Sequence, residues 1–425
     1  MHVTAPRPAL INSAVGALAV LTFINLFNYL DRFVVSALAE SLKHSSLALS
    51  DFKLGTLATG FLLVYMLTAP IFGALGDRRA RPPLIAFGVA CWSIATALSG
   101  LATSYLTLLA ARSAVGIGEA AYGTIAPSLL ADFFPESRRG RVMAVFFCAI
   151  PIGAALGFIV GGLVDARYGW RAAFFVAGIP GIALAVLSLL MRDPPRGGEE
   201  GGKAPASAAP KNTRADLRAT YARLAHSSPY VLTVLGYAAY TFAVGGLGFW
   251  MPTFLERVHG MARKDATVSF GEIVVITGFI GTFAGGWLGD YCSKYSRQAY
   301  LWVSAIATLI AAPVAWVALA AEASKLYLVA IVGAQLFLFV STGPVNAAII
   351  NLASPAERAT AIAVSIFTIH VLGDVVSPPL IGALSDWASL KEAVLVVPVA
   401  VLGAGVLWCW AARAAGRAAN AEAVH

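Results

Sequence analysis

Two pairs of charged side chains lie inside stretches of sequence that are otherwise apolar. Asp31 and Arg32 are neighbours in NYLDRF, and Arg112 and Glu119 are seven residues apart in a later apolar run. A charge at the middle of a membrane helix costs about 2.5 to 3.5 kcal/mol on insertion scales, so each pair requires a compensating environment. Buried carboxylates can exchange protons, arginines can bind phosphate or carboxylate, and the two types can form static salt bridges between helices. The residue types leave all three chemistries open.

The spacing of these charges predicts how helices would present them. Seven residues are two helical turns, so Arg112 and Glu119 share one face about 10 Å apart along the helix axis. Asp31 would lie at the membrane interface if the first span ended at Leu30, but the mostly apolar stretch FVVSALAESL follows the pair. We therefore expect the helix to continue, with the pair in its outer half facing an aqueous cavity.

Composition indicates the class of protein. Hydrophobic residues make up 59% of the 425 positions, charged residues make up 12%, and the mean hydropathy is +0.77. Soluble domains carry about 25% charged residues, so the sequence is typical of an integral membrane protein. Membrane topology and anionic lipid account for the net charge of +8, and no nucleic-acid partner is needed to explain it.

Twelve apolar runs are long enough for membrane helices, which need about 20 residues each. The segment between the sixth and seventh runs is rich in Pro, Gly and Ala and then charged, which predicts a flexible linker followed by a short surface helix. We expect an all-α membrane protein with an N-terminal six-helix bundle at 1–191, a cytoplasmic linker at 192–228 and a C-terminal six-helix bundle at 229–425. The predicted spans lie near residues 13–41, 54–75, 83–103, 105–131, 140–164, 171–191, 229–254, 269–289, 299–321, 325–350, 359–384 and 393–412.

Lysine and arginine predict the orientation, because positively charged segments stay on the cytoplasmic side. With both termini inside, the inner segments hold 19 of the 30 basic residues, the outer loops hold nine, and the last two are Arg32 and Arg112. We therefore expect a multi-pass protein of a bacterial-type inner (plasma) membrane with both termini in the cytoplasm.

The two halves of the chain repeat each other. FGALGD at 72–77 returns as GGWLGD at 285–290, and GGLVDARYGW at 161–170 returns as GALSDWASL at 382–390. The aspartates of these segments are offset by 213 and 221 residues. Many transporters are built from internal repeats, with the substrate site at the repeat interface near the midplane of the bilayer. The repeat therefore favours a transporter that works by alternating access.

Several of these segments resemble a known family. Twelve spans in two halves, with GALGDRRAR at 73–81, resemble the major facilitator superfamily, whose loop signature combines glycine, aspartate and basic residues. Within it, NYLDRF at 28–33, RSAVGIGEAAYGTIAPSLLADFFP at 112–135 and AIPIGAALGF at 149–158 resemble the Spinster family of lipid transporters. The resemblance implies two pseudo-symmetric six-helix bundles.

The resemblance also implies roles for the polar residues of the spans. The first and fourth spans line the central path in the superfamily, so the four charges are expected to meet there, with Asp31 and Glu119 as the proton-coupling groups. Arg32 and Arg112 would bind an anionic head group or pair with these carboxylates. The other residues that we expect to bind substrate or pair charges are Asn28, Tyr122, His370 and Asp374.

The loop signature implies a cytoplasmic gate. Its glycines permit close packing, Asp77 can face a helix N-terminus, and Arg78 or Arg81 can pair with Asp132 at the end of the fourth span. The second copy of the loop keeps the aspartate. The residues expected at this gate are Gly73, Asp77, Arg78, Arg81, Asp132 and Asp290.

The function that fits best is a proton-coupled secondary transporter of a lysolipid-like, sphingolipid-like or other organic anionic substrate. We expect a monomer whose partners are that substrate, protons and membrane lipids. A lipid-modifying membrane enzyme is an alternative, but the six histidines are scattered and no G-x-S-x-G segment is present. A facilitator of drug-like molecules without proton coupling is the other alternative.

The sequence provides no reason to expect a cofactor, a metal or a catalytic residue. GIGEAA at 116–121 fits a dinucleotide-binding pattern, but that motif requires a preceding strand and this segment lies in an apolar helix. No G-x-x-x-x-G-K-[ST] loop occurs, which argues against a pump driven by its own nucleotide hydrolysis.

Overall fold

The structure is a computed structural model that describes residues 11, 13–196, 214–320, 326–354 and 357–423. Helices make up most of this part of the chain, and no β-sheet forms within it. The chain divides into two compact units, of which the first comprises Met1–Leu49 with Gly60–Ala208 and the second Ser50–Thr59 with Ala209–His425.

The first seven helices belong to the N-terminal half of the chain. Their bounds are α1 (Ala14–Ala37), α2 (Ala39–Lys43), α3 (Asp51–Arg78), α4 (Arg81–Gly100), α5 (Tyr105–Phe133), α6 (Glu136–Tyr168) and α7 (Trp170–Leu189). Helix α3 begins in the second compact unit and ends in the first.

The second unit holds the remaining helices and one turn of π-helix. Their bounds are α8 (Arg214–His226), α9 (Ser228–Arg257), α10 (Arg263–Ser293), α11 (Ala299–Ala320), α12 (Leu326–Leu352), α13 (Arg358–Ile369), the π turn (His370–Asp374), α14 (Ser377–Trp387), α15 (Leu390–Ala393) and α16 (Val396–Ala423).

The predicted fold class is confirmed. Among the described residues, eleven helical segments are long and apolar enough to cross a membrane. Helix α5, which the sequence predicts as the fourth span, is not one of these eleven. Its 29 residues include the charged Arg112, Glu119 and Asp132. The predicted span at 13–41 is divided at Leu38 between α1 and α2.

Helix α1 continues through its charged pair to Ala37, as the apolar residues after the pair predict. Helix α6 lies close to it because glycines face α1. A Cβ atom at Gly153 would lie 2.5 Å from the carbonyl oxygen of Leu26, and one at Gly157 would lie 2.6 Å from that of Leu30. Any larger side chain would push the helices apart, so close packing explains the G-x-x-x-G spacing in α6.

The π turn interrupts the eleventh predicted span between α13 and α14. Such turns are rare and occur mostly as single interruptions of α-helices, frequently at functional sites. Helix α9 approaches it at Gly245, where a Cβ atom would lie 2.6 Å from Cβ of Asp374. The turn therefore places the polar residues of the eleventh span against α9.

Helix α8 lies in the segment for which the sequence predicts a linker and a surface helix, and the linker residues 197–213 lie outside the described part of the chain. Arg223 near its end donates to Glu357 Oε1 at 2.6 Å. The Ser354 hydroxyl and the Arg223 guanidinium hold the pKa of Glu357 below its ordinary value. This contact attaches the end of α8 to the segment before α13.

Candidate functional site

Asp31 on α1 and Arg112 on α5 form an ion pair in the interior of the first unit. Arg112 Nη1 donates to Asp31 Oδ1 at 3.0 Å, and Thr96 Oγ1 of α4 donates to Asp31 Oδ2 at 2.6 Å. Asp31 is 0% exposed and Arg112 is 2% exposed. The expectation that Asp31 faces an aqueous cavity is therefore wrong for this conformation, because protein groups surround the carboxylate and bond to both of its oxygens.

Glycines position α5 so that its charged side chains reach α1. A Cβ atom at Gly88 of α4 would lie 2.7 Å from the carbonyl oxygen of Gly118, and one at Gly116 would lie 2.5 Å from that of Phe61 on α3. The backbones of α3, α4 and α5 can approach this closely only because the side chains are absent. Residues between and beside these glycines are thus held at a fixed depth and rotation.

Arg32 and Glu119 form the second ion pair of the cluster. Arg32 Nη2 lies 2.6 Å from Glu119 Oε2, and Arg32 Nε donates to the same oxygen at 3.2 Å. The guanidinium also lies 4.8, 5.0 and 5.6 Å from the ring centroids of Tyr29, Phe61 and Tyr65. The Arg32 side chain is 24% exposed whereas that of Glu119 is 0% exposed. Arg32 is thus the accessible cation of the cluster.

The two pairs cross, because the adjacent residues of α1 bind different residues of α5. The formal charges of the four side chains cancel, as buried charges require. Among the described residues, Glu119 Oε1 and Arg112 Nε are buried without a hydrogen-bond partner. Glu119 can therefore accept a proton on an unbonded oxygen, whereas protonation of Asp31 would disturb a hydrogen bond already formed.

Asn28 and Tyr122 lie beside the charge cluster but are buried. Asn28 is 4% exposed, and its Nδ2 atom has no hydrogen-bond partner among the described residues. Tyr122 is 1% exposed, and its hydroxyl donates a hydrogen bond to the carbonyl oxygen of Leu21. Its ring contacts the Trp92 ring edge-on, with the ring centroids 5.6 Å apart. In this conformation Tyr122 joins helices, and Asn28 retains a free donor.

The second unit holds the other two predicted polar residues. His370 Nδ1 lies 3.0 Å from both carboxylate oxygens of Asp374 across the π turn. Their side chains are 27% and 20% exposed. The two residues therefore pair with each other within one helical segment.

A cavity of about 280 Å³ lies along α13 in the second unit. Asn346 Nδ2 donates to the Tyr237 hydroxyl at 3.0 Å, and the Ser365 hydroxyl is buried without a partner among the described residues. These three side chains were not among the predicted site residues, because uncharged polar residues are scattered through the apolar spans and carry no distinctive spacing. The cavity walls are otherwise apolar and consist of Ile349, Ile350, Ile362, Ile366 and Ile369.

Helix α4 begins with a buried arginine that has several partners. Arg81 is 1% exposed and forms an ion pair with Asp132 at the end of α5. Its Nε atom also donates to Asp193 Oδ1 at 2.8 Å, and Nη2 donates to the carbonyl oxygen of Pro194 at 2.7 Å. The sequence predicted Arg78 or Arg81 as the partner of Asp132, and in the structure Arg81 pairs with it.

The other predicted gate residues differ in their surroundings. A Cβ atom at Gly76 would lie 2.9 Å from Ile125, but one at Gly73 would meet nothing within 4 Å, so close packing explains only Gly76. Asp77 and Arg78 are exposed, and neither forms an ion pair within the described part of the chain. Asp290 accepts a hydrogen bond from the Tyr300 hydroxyl at 2.8 Å.

A further polar cluster, which the sequence analysis missed, surrounds the first residue of α3 in the second unit. Asp51 is 0% exposed, and its Oδ2 atom lies 2.6 Å from Arg257 Nη1 and accepts from the Ser385 hydroxyl at 2.6 Å. Asp386 accepts from the backbone amides of Asp51 and Phe52 at 2.8 and 2.9 Å. The Asp386 carboxylate thus caps the N-terminus of α3 and complements its helix dipole.

Comparisons with known proteins agree with this architecture. The family described as Major Facilitator Superfamily matches residues 21–378. The protein named spinster homolog 1 of Bos taurus is 35% identical over 392 residues, which cover 87% of this chain and 72% of the bovine protein. Protein spinster of Drosophila melanogaster is 33% identical over 378 residues, and the match spans 86% of this chain and 61% of the fly protein.

A solved structure has the same fold. It is that of a bacterial homologue of the human lysosomal transporter Spinster, in an inward-facing and unoccupied conformation. The TM-score is 0.84 at 23% sequence identity, and the alignment covers 96% of this chain and 98% of the other.

Proposed function

The chain belongs to the Spinster family of major facilitator transporters, and we propose that it couples proton movement to the transport of an amphiphilic anion by alternating access. The observation that carries this proposal is the crossed charge cluster of α1 and α5. Two carboxylates and two guanidinium groups are buried or half-buried together, and one carboxylate oxygen is unbonded. Charged residues inside membrane spans are energetically costly, and they therefore usually mark functional sites.

Both Asp31 and Glu119 are candidate proton carriers, and the geometry favours Glu119. Neutralising Asp31 would leave Arg112 buried with an uncompensated charge, whereas neutralising Glu119 would leave Arg32, whose side chain is 24% exposed and stacked on aromatic rings. Water and aromatic faces can stabilise the charge of Arg32 after its partner is protonated. The proton therefore binds at lower cost to Glu119.

Protonation changes the net charge of the cluster from zero to +1. A guanidinium released from its carboxylate presents fork-shaped donors that suit a phosphate or carboxylate group. The protonated cluster thus favours an anionic substrate, and the deprotonated cluster does not. This difference in affinity between the two protonation states supplies the coupling.

An amphiphile fits the apolar surroundings better than a small hydrophilic anion. Tyr29, Phe61 and Tyr65 surround the Arg32 guanidinium in the first unit. In the second unit, isoleucine side chains line a separate cavity. We place lysolipid-like and sphingolipid-like molecules first among the substrates, and the transporter acts as a monomer.

Arg32→Gln is expected to weaken the binding of a lysophospholipid by about tenfold or more, because a charge-assisted hydrogen bond contributes about 1.5 to 3 kcal/mol. Exchange of a fluorescent short-chain lysophospholipid across proteoliposome membranes should show this as a raised half-saturation concentration. The control is Arg167→Gln, which removes an exposed arginine that also lies over a tyrosine ring, at 5.6 Å. Equal half-saturation concentrations in all three proteins would contradict the substrate assignment.

The proposed orientation places both termini in the cytoplasm and the end of α3 on the same side. In a cysteine-free background, Asp77→Cys should be protected from a membrane-impermeant maleimide added to intact cells, and Ser46→Cys should be labelled. Both positions are exposed on the protein surface, so only the membrane can protect one of them. Labelling of position 77 from outside would invert the topology.

A further inference from the structure

A groove lies at the end of the second unit where α8 stops, α9 begins and α16 passes. Its volume is about 920 Å³. The basic residues Arg413 and Arg417 line it from α16, and His226 lines it from the end of α8. Leu232 and Trp410 supply its apolar surface. The groove thus combines cations with apolar and aromatic walls.

Helix α16 has two faces of different character. Val401, Ala404 and Trp408 are each 0% exposed and belong to the face that packs into the bundle. The opposite face carries apolar residues first and basic residues last. In chain order, its members are Val399, Leu402, Val406, Trp410, Arg413 and Arg417, spaced three or four residues apart.

The outward face has the residue order of a helix that leaves a lipid leaflet. Val399 is 58% exposed and Leu402 is 48% exposed, so this part of the face has no protein cover in the described chain. Trp410 is 52% exposed one turn before the first arginine. Tryptophan prefers the depth of the lipid head groups, and arginine prefers the phosphate level and the adjacent water. Phosphate would therefore lie beside the arginines, with acyl chains along Leu402 and Val399.

The two arginines carry charges that no described acidic side chain neutralises. Both are exposed, and neither forms an ion pair with an acidic side chain within the described part of the chain. Spaced four apart, their guanidinium groups project from the same side of α16. The groove also receives the N-terminus of α9, whose N-cap residue Ser227 makes no side-chain capping hydrogen bond.

We propose that this groove binds the head group of an anionic phospholipid from the leaflet on the side of the C-terminus, with Arg413 and Arg417 on the phosphate and Trp410 at the head-group boundary. A free phosphate ion would use the cations alone. The lipid is favoured because the exposed apolar face continues directly from them. The site is separate from the path proposed for the transported substrate and does not depend on that proposal.

The test compares the lipids that remain bound to the purified protein. The protein is equilibrated in detergent micelles with equal amounts of phosphatidylglycerol and phosphatidylcholine, and native mass spectrometry measures the ratio of bound lipids. A basic residue near an anionic lipid surface contributes roughly a fivefold preference, so two should give roughly 25-fold. Arg413→Gln with Arg417→Gln should remove this preference, and Arg413→Lys with Arg417→Lys should retain most of it.

A matched pair of exposed cations serves as the control. Lys294→Gln with Arg297→Gln removes the same charge from another turn of the second unit and should leave the ratio unchanged. Phosphatidylglycerol with brominated acyl chains should quench the fluorescence of the wild-type protein more than that of Trp410→Phe. An unchanged ratio in the Arg413 and Arg417 glutamine variant, an equal loss in the control pair, or displacement of the lipid by 10 mM inorganic phosphate would each overturn the proposal.

Discussion

Glu119→Gln is expected to abolish substrate accumulation driven by a proton gradient while leaving the protein folded. Glutamine keeps the shape of the side chain and can still accept a hydrogen bond from Arg32, but it cannot release a proton. The variant then resembles a protein in which Glu119 is permanently protonated. The partial exposure of Arg32 limits the loss of stability. Uptake with and without an imposed pH gradient, measured on the same proteoliposomes, should show loss of the gradient-driven part by at least about tenfold.

Substrate exchange without a gradient separates coupling from binding in this variant. Exchange should persist in Glu119→Gln, because it does not require net proton movement. Glu40→Gln is the control, since Glu40 is another buried carboxylate of the first unit, 8% exposed and 2.9 Å from His44, outside the cluster. Full gradient-driven accumulation in Glu119→Gln would remove this residue from the coupling mechanism.

Arg112→Ala is expected to destabilise the protein by about 3 to 5 kcal/mol, because it leaves the charge of Asp31 buried with only Thr96 to stabilise it. Asp31→Asn should have an effect of the same kind by leaving Arg112 unpaired. The melting temperature of the detergent-purified protein, with denaturant titration where unfolding is reversible, measures the loss. Asp31→Asn combined with Arg112→Met should recover part of it, since neither position of this ion pair then carries an unpaired charge.

The control for this prediction is a second arginine of the same unit. Arg171 lies 4.0 Å from the Trp170 ring centroid and donates to the carbonyl oxygen of Ala102 at 3.0 Å, near the end of α4. Arg171→Ala leaves no buried carboxylate behind, so its cost should stay near 1 kcal/mol. Equal losses of stability in Arg112→Ala and Arg171→Ala would show that the Asp31–Arg112 pair stabilises the protein no more than the contacts of Arg171 do.

The resemblance to the major facilitator superfamily implied that the charged residues of α1 and α5 meet, whereas the cost of charges in apolar spans predicted only that each pair needs a compensating environment. The sequence could not predict which residues pair. Asp31 and Arg32 are adjacent, so their side chains point about 100° apart on the helix, and the partner of each depends on the rotation of α1 against α5. For the same reason, the sequence could not predict that Gly76 is close-packed and Gly73 is not, because the difference depends on the rotation of α3.

The cluster around Asp51 was harder to predict. Arg257 lies 206 residues away in the chain, near the predicted end of the seventh span, where a basic residue is commonly a loop charge. Asp386 did carry a signal, because it belongs to the second repeated segment. The repeat indicated that this aspartate matters but gave no indication that it caps α3, since a cap depends on the spatial position of a distant helix end.

We propose that protons move with the substrate through Glu119. The most direct test traps a pH-sensitive dye inside proteoliposomes and adds a short-chain lysophospholipid without any imposed gradient. This coupling predicts a change of internal pH that depends on the substrate in the wild-type protein and is absent in Glu119→Gln, although the variant still exchanges substrate. Substrate entry without any pH change in the wild-type protein, or the same pH change in the variant, would contradict it.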